Sequence, residues 1–326
     1  MDIEFHYYIT NIIALRAGFS PEDAYILAYS SQYVDDNNTI FEINSNGDGE
    51  YGNYISQTMN ILKPEKEFYM RIYPVFHFFP GHEKNITGDS ARRCDGKLHL
   101  LNTTPDNENV NDLLQAAFES KDLYRIGIAI HTYSDTFAHQ NFVGYYDAFN
   151  SMKGLLEKAL PDIGHADARH QPDWPAVVWK DARLVQSHAE IDNKKRFLDA
   201  AGQLFDKYHS YRGSPARGSA IKEREKLIKD IDAAIGGHDK ENEQKDIRIV
   251  RYKALIGEGF IDYNESKWFN DAVKRKVGFF KWNYRWKDNY IESHWYKFQE
   301  AVKEHQRIAK DEILKPIFDK MELKNL

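Results

Sequence analysis

The chain has 326 residues, of which 42% are hydrophobic and 29% are charged, and this excludes a small disulfide-stapled fold in favour of a protein with a large core. No stretch approaches the roughly 18 to 20 apolar residues of a membrane span. The net charge of −6 gives no general attraction to nucleic-acid phosphates or anionic membranes. The single cysteine, Cys94, excludes internal disulfides and cysteine-based metal clusters.

The first residues, MDIEFHYY, have neither the basic start nor the apolar run of a secretory signal. We therefore expect a cytoplasmic protein without a membrane span. Specific binding of duplex DNA is not expected, because acidic residues outnumber basic ones. The sequence does not predict an oligomeric state.

Two helices are predicted at the start of the chain. Residues 3–17 carry apolar side chains at the spacing of a buried helix, and Ser20 opens a second helix through SPEDAYILAYSSQYVDD. Residues 37–50 are rich in Asn, Gly and Asp and are predicted to form a surface loop. Prolines bound residues 73–81, YPVFHFFPG, which indicates a buried irregular segment.

A long helical stretch begins at Asn111, breaks near Ser120 and continues through IGIAIHTYSDTFAH, which is apolar on nearly every face and therefore predicted to be surrounded by protein. A loop with prolines and glycine follows at 160–175. Charged helical segments come next, at 190–210, 219–235 and 241–256. Because almost no alternation of period two is present, the sequence predicts an all-α multi-helix bundle.

Residues 281–300 form an aromatic stretch that leads into a final helix ending near Lys320. Rings at helical spacing usually belong to the core, and stacking on bases or lying at a lipid interface is the alternative. The rings are those of Trp282, Tyr284, Trp286, Tyr290, Trp295 and Tyr296.

Three polar residues of the buried helical stretch, His131, Asp135 and His139, are spaced four apart. At 100° per residue they lie within about 80° of one another and face one pocket. The two histidines are about 12 Å apart along the helix axis, so a carboxylate between two metal ions satisfies all three groups, and paired metal ions are typical of phosphoester hydrolysis. The alternative is a pair of core histidines hydrogen-bonded to Asp135 or to backbone carbonyls.

Further candidates lie outside this helix. His6 is in the first buried helix, where a core histidine is the alternative, and His77 lies among the phenylalanines of YPVFHFFPG. Asp35 and Asp36 end the second helix, where carboxylates oppose the helix dipole, so either a cation or solvation in the following loop compensates them. The loop at 160–175 offers four possible ligands: His165, Asp167, His170 and Asp173.

The segment LYRIGIAIHTYSDTFAHQNF resembles the His-x-x-x-Asp-x-x-x-His helix of the zinc-dependent phospholipase C superfamily, which includes zinc-dependent single-strand nucleases. Together with FHYY, SQYVDD, FHFFPG and the GH…PD loop, it is similar to an uncharacterised bacterial family related to those enzymes. The resemblance covers residues 1–180. We therefore expect a metal-binding helical core there, and a helical extension at 181–326 that packs on it in one continuous domain.

The resemblance implies an all-α fold with two or three zinc ions at the bottom of a cleft. It implies that Asp35 or Asp36 orients or deprotonates the attacking water. It assigns six residues to the ions: His77, His131 and Asp135 to one, His139 and His165 to a second, and His6 with Asp135 to a third.

Two features depart from this family pattern. The secreted enzymes bind the third ion with the free amine of a processed N-terminal residue, and this sequence shows no processing site. They also have an acidic ligand four residues after the late histidine, where this chain has Arg169. The sequence leaves open whether Asp167, His170 or Asp173 takes that place.

The function predicted from the sequence is a metal-dependent phosphoester hydrolase that uses metal-activated water on a small phosphoester, phospholipid or nucleotide. Arg125, Arg169 and Lys180 lie in or near the motifs, where they either hold a phosphate or are surface charges. The alternative function is a non-catalytic helical protein with structural metal ions or a degenerate site. Four protein ligands around each ion would favour that alternative, and an open position would favour catalysis.

Overall fold

The computed structural model describes residues 1–45, 49–58, 70–82, 93–152, 162–213, 217–277 and 282–322. It is 58% helix and 9% strand, so the predicted helical character is confirmed, while two small sheets are present that the sequence did not predict. Across the described ranges, no helix combines the length and the apolar character that a bilayer span needs.

The α-helices, numbered in chain order, are α1 Thr10–Arg16, α2 Pro21–Asp36, α3 Glu108–Ser120, α4 Leu123–Ala138, α5 Asn193–Arg212, α6 Arg217–Ile235, α7 Lys245–Ile256, α8 Lys267–Ala272, α9 His294–Arg307 and α10 Lys315–Lys320. The wider π-helical segments are Glu4–Ile9, Tyr73–His77 and Ile308–Ile313. The tighter 3-10 turns are Ala166–Ala168, Gln171–Asp173, Gln186–His188 and Tyr290–Glu292. The segment predicted to be irregular at 73–81 is therefore buried, as expected, but begins with a π-helical turn.

Helix α4 lies inside the protein, and every residue from Ile126 to Ala138 is buried. Helix α2 packs closely against it at Gly127. A Cβ atom at that position would lie 2.5 Å from the Cβ of Ser30 and 2.7 Å from the carbonyl oxygen of Leu27, so only glycine permits this approach. The close packing of the two helices brings the end of α2 beside the polar face of α4.

The break between α3 and α4 lies where the sequence predicts it. Lys121 has a φ of 58°, a left-handed conformation that ends α3. The side chain of Asp122 then accepts hydrogen bonds from the backbone N–H groups of Tyr124 at 2.8 Å and Arg125 at 3.3 Å, which begins α4.

The strands are β1 Glu42–Ser45, β2 Gly49–Gly52, β3 Val178–Lys180, β4 Glu190–Asp192, β5 Val273–Val277 and β6 Trp282–Trp286. One sheet has the order β2-β1-β6-β5 and the other pairs β3 with β4. In the larger sheet, β1 is antiparallel to β2 and parallel to β6, while β5 is antiparallel to β6. The smaller sheet is antiparallel.

The larger sheet corrects two predictions. Residues 37–50 include β1 and the start of β2 rather than a loop throughout, and the 281–300 stretch contains β6. These strands have only four or five residues, which is too short for a clear alternating pattern. The pairing of Ile43 with Tyr284 also joins distant parts of the chain, so no local signal predicts it.

The second half of the chain completes the core of the first half. Trp268 in α8 stacks on Tyr29 in α2, with ring centroids 3.9 Å apart. Trp295 in α9 is fully buried and donates its indole N–H to the Tyr33 hydroxyl at 3.1 Å. Residues beyond 181 therefore pack directly on the helix that leads to Asp35.

The described rings of the 281–300 stretch pack on the core and on one another. Trp286 stacks on Tyr290 at 4.1 Å, and Tyr284 meets Phe41 edge-on at 5.1 Å. Within the described residues, no ring of this stretch lines the cleft at the candidate site, which favours the core role over base stacking. The side chain of Trp282 lies outside the described part.

Candidate metal centre

Asp135 lies at the centre of a buried polar cluster and is only 1% exposed. Its Oδ1 faces Nε2 of His6 at 3.1 Å. Its Oδ2 faces Nε2 of His131 at 3.2 Å and Nδ1 of His77 at 3.3 Å. One oxygen of the Asp135 carboxylate therefore faces His6, and the other oxygen faces His77 and His131.

Three separate parts of the chain position these groups. Helix α4 supplies His131 and Asp135 one turn apart, and His139 follows directly as the residue that ends the helix. His6 and His77 both lie in π-helical segments, a local geometry that is frequent at functional sites. The ring of His6 stacks on that of His131 with centroids 3.9 Å apart.

Backbone carbonyls fix the rings of His131 and His77. Nδ1 of His131 donates to the Ser31 carbonyl at 2.8 Å, and Nε2 of His77 donates to the Ser56 carbonyl at 2.9 Å. Because a neutral imidazole has one N–H, these hydrogen bonds make the other nitrogen of each ring an acceptor. The two acceptor nitrogens lie 3.0 Å apart and both face Oδ2 of Asp135.

Acceptors that face one another at this distance repel unless a cation or a proton lies between them. Because all three side chains are almost completely buried, an unsatisfied contact between these acceptors would be costly. Histidines that bind a metal commonly donate their second ring nitrogen to a carbonyl, as both of these rings do. The residues present therefore fit a metal ion.

A second set of donors lies beside the first. His139 donates Nδ1 to the carbonyl of His77 at 2.7 Å, and its Nε2 lies 3.0 Å from Oδ1 of Asp173. His165 donates Nδ1 to the carbonyl of Arg169 at 2.6 Å, and its Nε2 lies 3.2 Å from Oδ2 of Asp173. The Asp173 carboxylate therefore faces Nε2 of both rings, while Nδ1 of each ring donates to a backbone carbonyl.

The structure selects among the residues that the sequence left open in this loop. Asp173 joins His139 and His165. Asp167 instead accepts from the backbone N–H of Met152 at 2.9 Å, and His170 stacks on Trp174 with ring centroids 5.8 Å apart. Among the residues that the structure describes, three groups have donor atoms within 4.8 Å of one another: His77, His131 and Asp135; His6, Asp35 and His131; and His139, His165 and Asp173.

The two carboxylates at the end of α2 have different surroundings. Oδ1 of Asp35 lies 3.7 Å from both Nε2 of His131 and Nδ1 of His77. Oδ2 of Asp36 accepts from Nε2 of Gln32 at 3.1 Å and from the Tyr263 hydroxyl at 2.6 Å. Asp35 therefore faces the cluster, while Asp36 is held by hydrogen bonds to the protein.

The amino group of Met1 is also a member of the cluster, in a role that the family resemblance gave only to the amine of a processed N-terminal residue. It donates to Oδ1 of Asp135 and lies 3.3 Å from Oδ1 of Asp173, so it joins the two carboxylates. Burial acts to lower the pKa of this amine, but Asp135, Asp173 and Asp35 raise it to about 11. No sequence pattern near Met1 marks this contact.

The carboxylates of the cluster do not share one protonation state. Burial acts to raise the pKa of Asp135, but the Met1 amine, His139 and His131 hold it well below its ordinary value. Asp173 also has a lowered pKa, because His165 and the Met1 amine oppose the effect of burial. Burial raises the pKa of Asp35 to about 8, with His77 acting against the shift and Asp135 with it. At neutral pH, Asp35 is thus the carboxyl group that binds a proton.

Two histidines of the cluster resist protonation. Burial lowers the pKa of His6 well below its ordinary value, and His131 adds to the shift. Burial lowers the pKa of His165 to about 4, although Asp173 acts in the opposite direction. Both rings are therefore neutral at pH 7 and offer a nitrogen lone pair.

The cluster opens into a cleft of about 1580 Å³. Among the sequence candidates for phosphate binding, Arg169 lines the cleft, and Arg125 and Lys180 are not part of its described lining. The basic groups of that lining are the Met1 amine, Arg169, Lys245 and Lys267. The carboxylates are more numerous: Asp2, Asp35, Asp36, Asp135, Asp173, Asp262 and Glu265.

Comparison with known proteins places the chain in a family. A sequence model described as a family of unknown function, DUF6765, matches residues 1–313. The chain belongs to the DUF6765 family. No curated protein and no solved structure matches it. In this DUF6765 protein the match includes the residues of the candidate metal centre and helices α5 to α9.

Proposed function

We propose that this protein is a metal-dependent phosphoester hydrolase, of the zinc-dependent phospholipase C type, with zinc as its metal. The observation that carries the proposal is the buried cluster in which acceptor nitrogens of His77 and His131 face the Asp135 carboxylate. Imidazole nitrogens combined with carboxylate oxygens are a donor set that zinc accepts.

Two of the three donor groups share His131, whose single acceptor nitrogen serves one ion, so the groups would hold two ions at once, and the nitrogen of His6 beside Oδ1 of Asp135 would contribute to a third. His77, His131 and Asp135 form the first group and His139, His165 and Asp173 the second. His6 with Asp35 and His131 forms the third group, and Oδ1 of Asp135 also lies beside His6. Zinc held in these groups supplies a Lewis acid that activates water and offsets negative charge on a phosphoryl oxygen.

The open cleft favours catalysis over a purely structural role for the metal. Its volume of about 1580 Å³ exceeds that of most small-molecule pockets, which are about 300 to 1000 Å³. The side chain of Asp35 is 26% exposed and lies between the cluster and the cleft. We assign it the role of general base that takes the proton of the attacking water.

Metal content is the first test of the proposal. Elemental analysis of protein purified without a metal-affinity tag is expected to give two or more zinc ions per chain, and fewer in His131→Ala and Asp135→Ala. His305→Ala is the matched control, because His305 is also buried but faces the Val75 carbonyl at 3.2 Å instead of the cluster. This variant should keep its zinc.

Hydrolysis is the second test. Zinc-loaded protein is expected to cleave bis(p-nitrophenyl) phosphate, a phospholipid or an oligonucleotide, to lose this activity with EDTA and to recover it with added zinc. A wild-type protein that binds no zinc even after zinc is added would overturn the proposal. Full zinc occupancy without cleavage of any of these substrates would instead show a structural metal site.

A further inference from the structure

The backbone of Arg169 has an unusual conformation at the edge of the cleft. Arg169 follows the 3-10 turn Ala166–Ala168 and has a φ of 53° and a ψ of −132°. Residues with a Cβ atom rarely adopt this combination, whereas glycine adopts it readily. Such strain at an exposed residue beside a cluster of metal-ligand type points to a function for the residue.

The backbone of Arg169 makes two hydrogen bonds that glycine at this position could also make. Its N–H donates to the Ala166 carbonyl at 3.1 Å, and its own carbonyl accepts from Nδ1 of His165 at 2.6 Å. Glycine would place the same carbonyl against His165 without strain. Arginine in this strained conformation, where glycine would serve the backbone equally well, points to a use of its side chain.

The guanidinium of Arg169 differs from the other cations of the cleft. Lys245 pairs with Asp2 at 3.1 Å, and Lys267 pairs with Asp271 at 2.9 Å. In the part of the chain that the structure describes, no carboxylate lies within ion-pair distance of Arg169. A cation without an acidic partner thus lines a cleft in which carboxylates outnumber basic groups.

We infer that Arg169 binds the anionic phosphoryl group of the substrate in this cleft. The inference rests on the proposed function for the identity of that group as a phosphoester. Two N–H groups of a guanidinium match two oxygens of a phosphate, and this bidentate contact is stronger than a hydrogen bond between neutral groups. The carboxylates of the lining repel an anion, and the unpaired guanidinium of Arg169 offsets part of that repulsion.

The test compares Arg169→Gly with Lys121→Gly. Both changes remove a basic side chain at a non-glycine residue with positive φ, but Lys121 ends α3 and is not in the described lining of the cleft. Binding of inorganic phosphate is measured by calorimetry on zinc-loaded and on metal-stripped protein, with neutral trimethyl phosphate as the control ligand. Zinc content and Tm are measured on the same samples.

Arg169→Gly is expected to bind phosphate about tenfold or more weakly than the wild type, because a charge-assisted contact is lost. Its Tm should equal or exceed that of the wild type, because the backbone strain is relieved. Arg169→Lys should bind phosphate with intermediate strength, and Lys121→Gly should bind it as the wild type does. Trimethyl phosphate should not distinguish the variants.

Equal phosphate affinity in Arg169→Gly and Lys121→Gly would overturn the inference, as would a wild type that binds no phosphate in either metal state. The outcome is separable from that of the proposed function. A protein without zinc whose phosphate affinity still depends on Arg169 would refute the metal centre and keep the anion site. A protein that binds its full zinc, and whose phosphate affinity does not depend on Arg169, would support the metal centre and refute the anion site.

Discussion

At the scale of single residues, Asp35 and Asp36 show how neighbouring carboxylates acquire different roles. Asp36 already accepts two hydrogen bonds, from Gln32 and Tyr263, so its charge is compensated by the protein. Asp35 has acceptor nitrogens of His77 and His131 at 3.7 Å and a raised pKa of about 8. Zinc beside Asp35 would displace the proton of this carboxyl group and leave an ionised carboxylate, which is the form that can take a proton from the attacking water.

Asp35→Asn and Asp36→Asn form a matched pair for testing this assignment. Asp35→Asn is expected to lower kcat for bis(p-nitrophenyl) phosphate by about 100-fold or more, because general-base catalysis contributes at least about that much. Asp36→Asn should lower kcat by less than about tenfold, because it changes only the support of the helix end. Equal losses in both variants, measured at matched zinc content, would contradict the assignment.

At the scale of elements, helix α7 anchors the segment that carries His6. The guanidinium of Arg248 pairs with both oxygens of Glu4 at 2.8 and 3.0 Å, and both side chains are almost completely buried. Lys245, nearly one turn earlier in α7, pairs with Asp2 at 3.1 Å. The backbone N–H of His6 in turn donates to the carbonyl of Asp2. A helix of the C-terminal extension thereby fixes a candidate ligand near the N-terminus.

Removal of Arg248 alone should be more harmful than removal of the whole pair. Arg248→Met leaves the buried Glu4 carboxylate unpaired and is expected to lower the free energy of unfolding by about 3 to 5 kcal/mol. The double variant Glu4→Gln, Arg248→Met should lose less, because only Asp239, which also accepts from the backbone N–H of Gln244, is then left without the guanidinium. Urea unfolding measures both, with Lys195→Met as an exposed control.

The same series tests the anchoring role. The double variant is expected to contain less zinc than the wild type although it is folded, because the segment of His6 loses its contact with α7. A single Arg248→Met variant as stable as the wild type would show that the buried pair is not needed. Full zinc content in the double variant would show that α1 and its π-helical start hold His6 without α7.

At the scale of the whole molecule, folding concentrates negative charge in one cleft. Carboxylates from α2, α4, the 160–175 loop and the segment before α8 meet there, although they are far apart in the sequence. Like charges this close are costly unless protons or cations compensate them. In the metal-free protein the Met1 amine and the proton on Asp35 take this role.

Zinc removal is therefore expected to lower Tm, and by more at pH 8 than at pH 6. Asp35 has a folded-state pKa of about 8, above its unfolded value of about 3.9, so the metal-free fold loses stability as pH rises between these values. Zinc displaces the same proton and so binds more tightly as pH rises through this window. Thermal melts with and without EDTA at the two pH values measure the effect. The compared quantity is the difference between Tm without EDTA and Tm with EDTA. A difference that is smaller at pH 8 than at pH 6 would contradict this explanation, as would a difference that grows by the same amount in Asp35→Asn.

Several members of the cluster could be predicted from the local sequence. His131, Asp135 and His139 are spaced to share one face of a buried helix, and the structure brings all three into the cluster. His6, His77 and His165 were assigned from the resemblance, and they lie in the same cluster. Polar residues that interrupt an apolar pattern are visible in a sequence because burial without a partner is costly.

The sequence by itself determined the mostly helical character, the break between α3 and α4 and the shared face of His131, Asp135 and His139, because helix periodicity, capping and apolar surroundings are local properties. Only the tertiary structure decided that Asp173 rather than Asp167 or His170 joins His139, and that β1 pairs with β6. It also decided the place of the Met1 amine. These outcomes depend on distances between residues that are remote in the chain, and such distances are set by the packing of elements rather than by any local pattern.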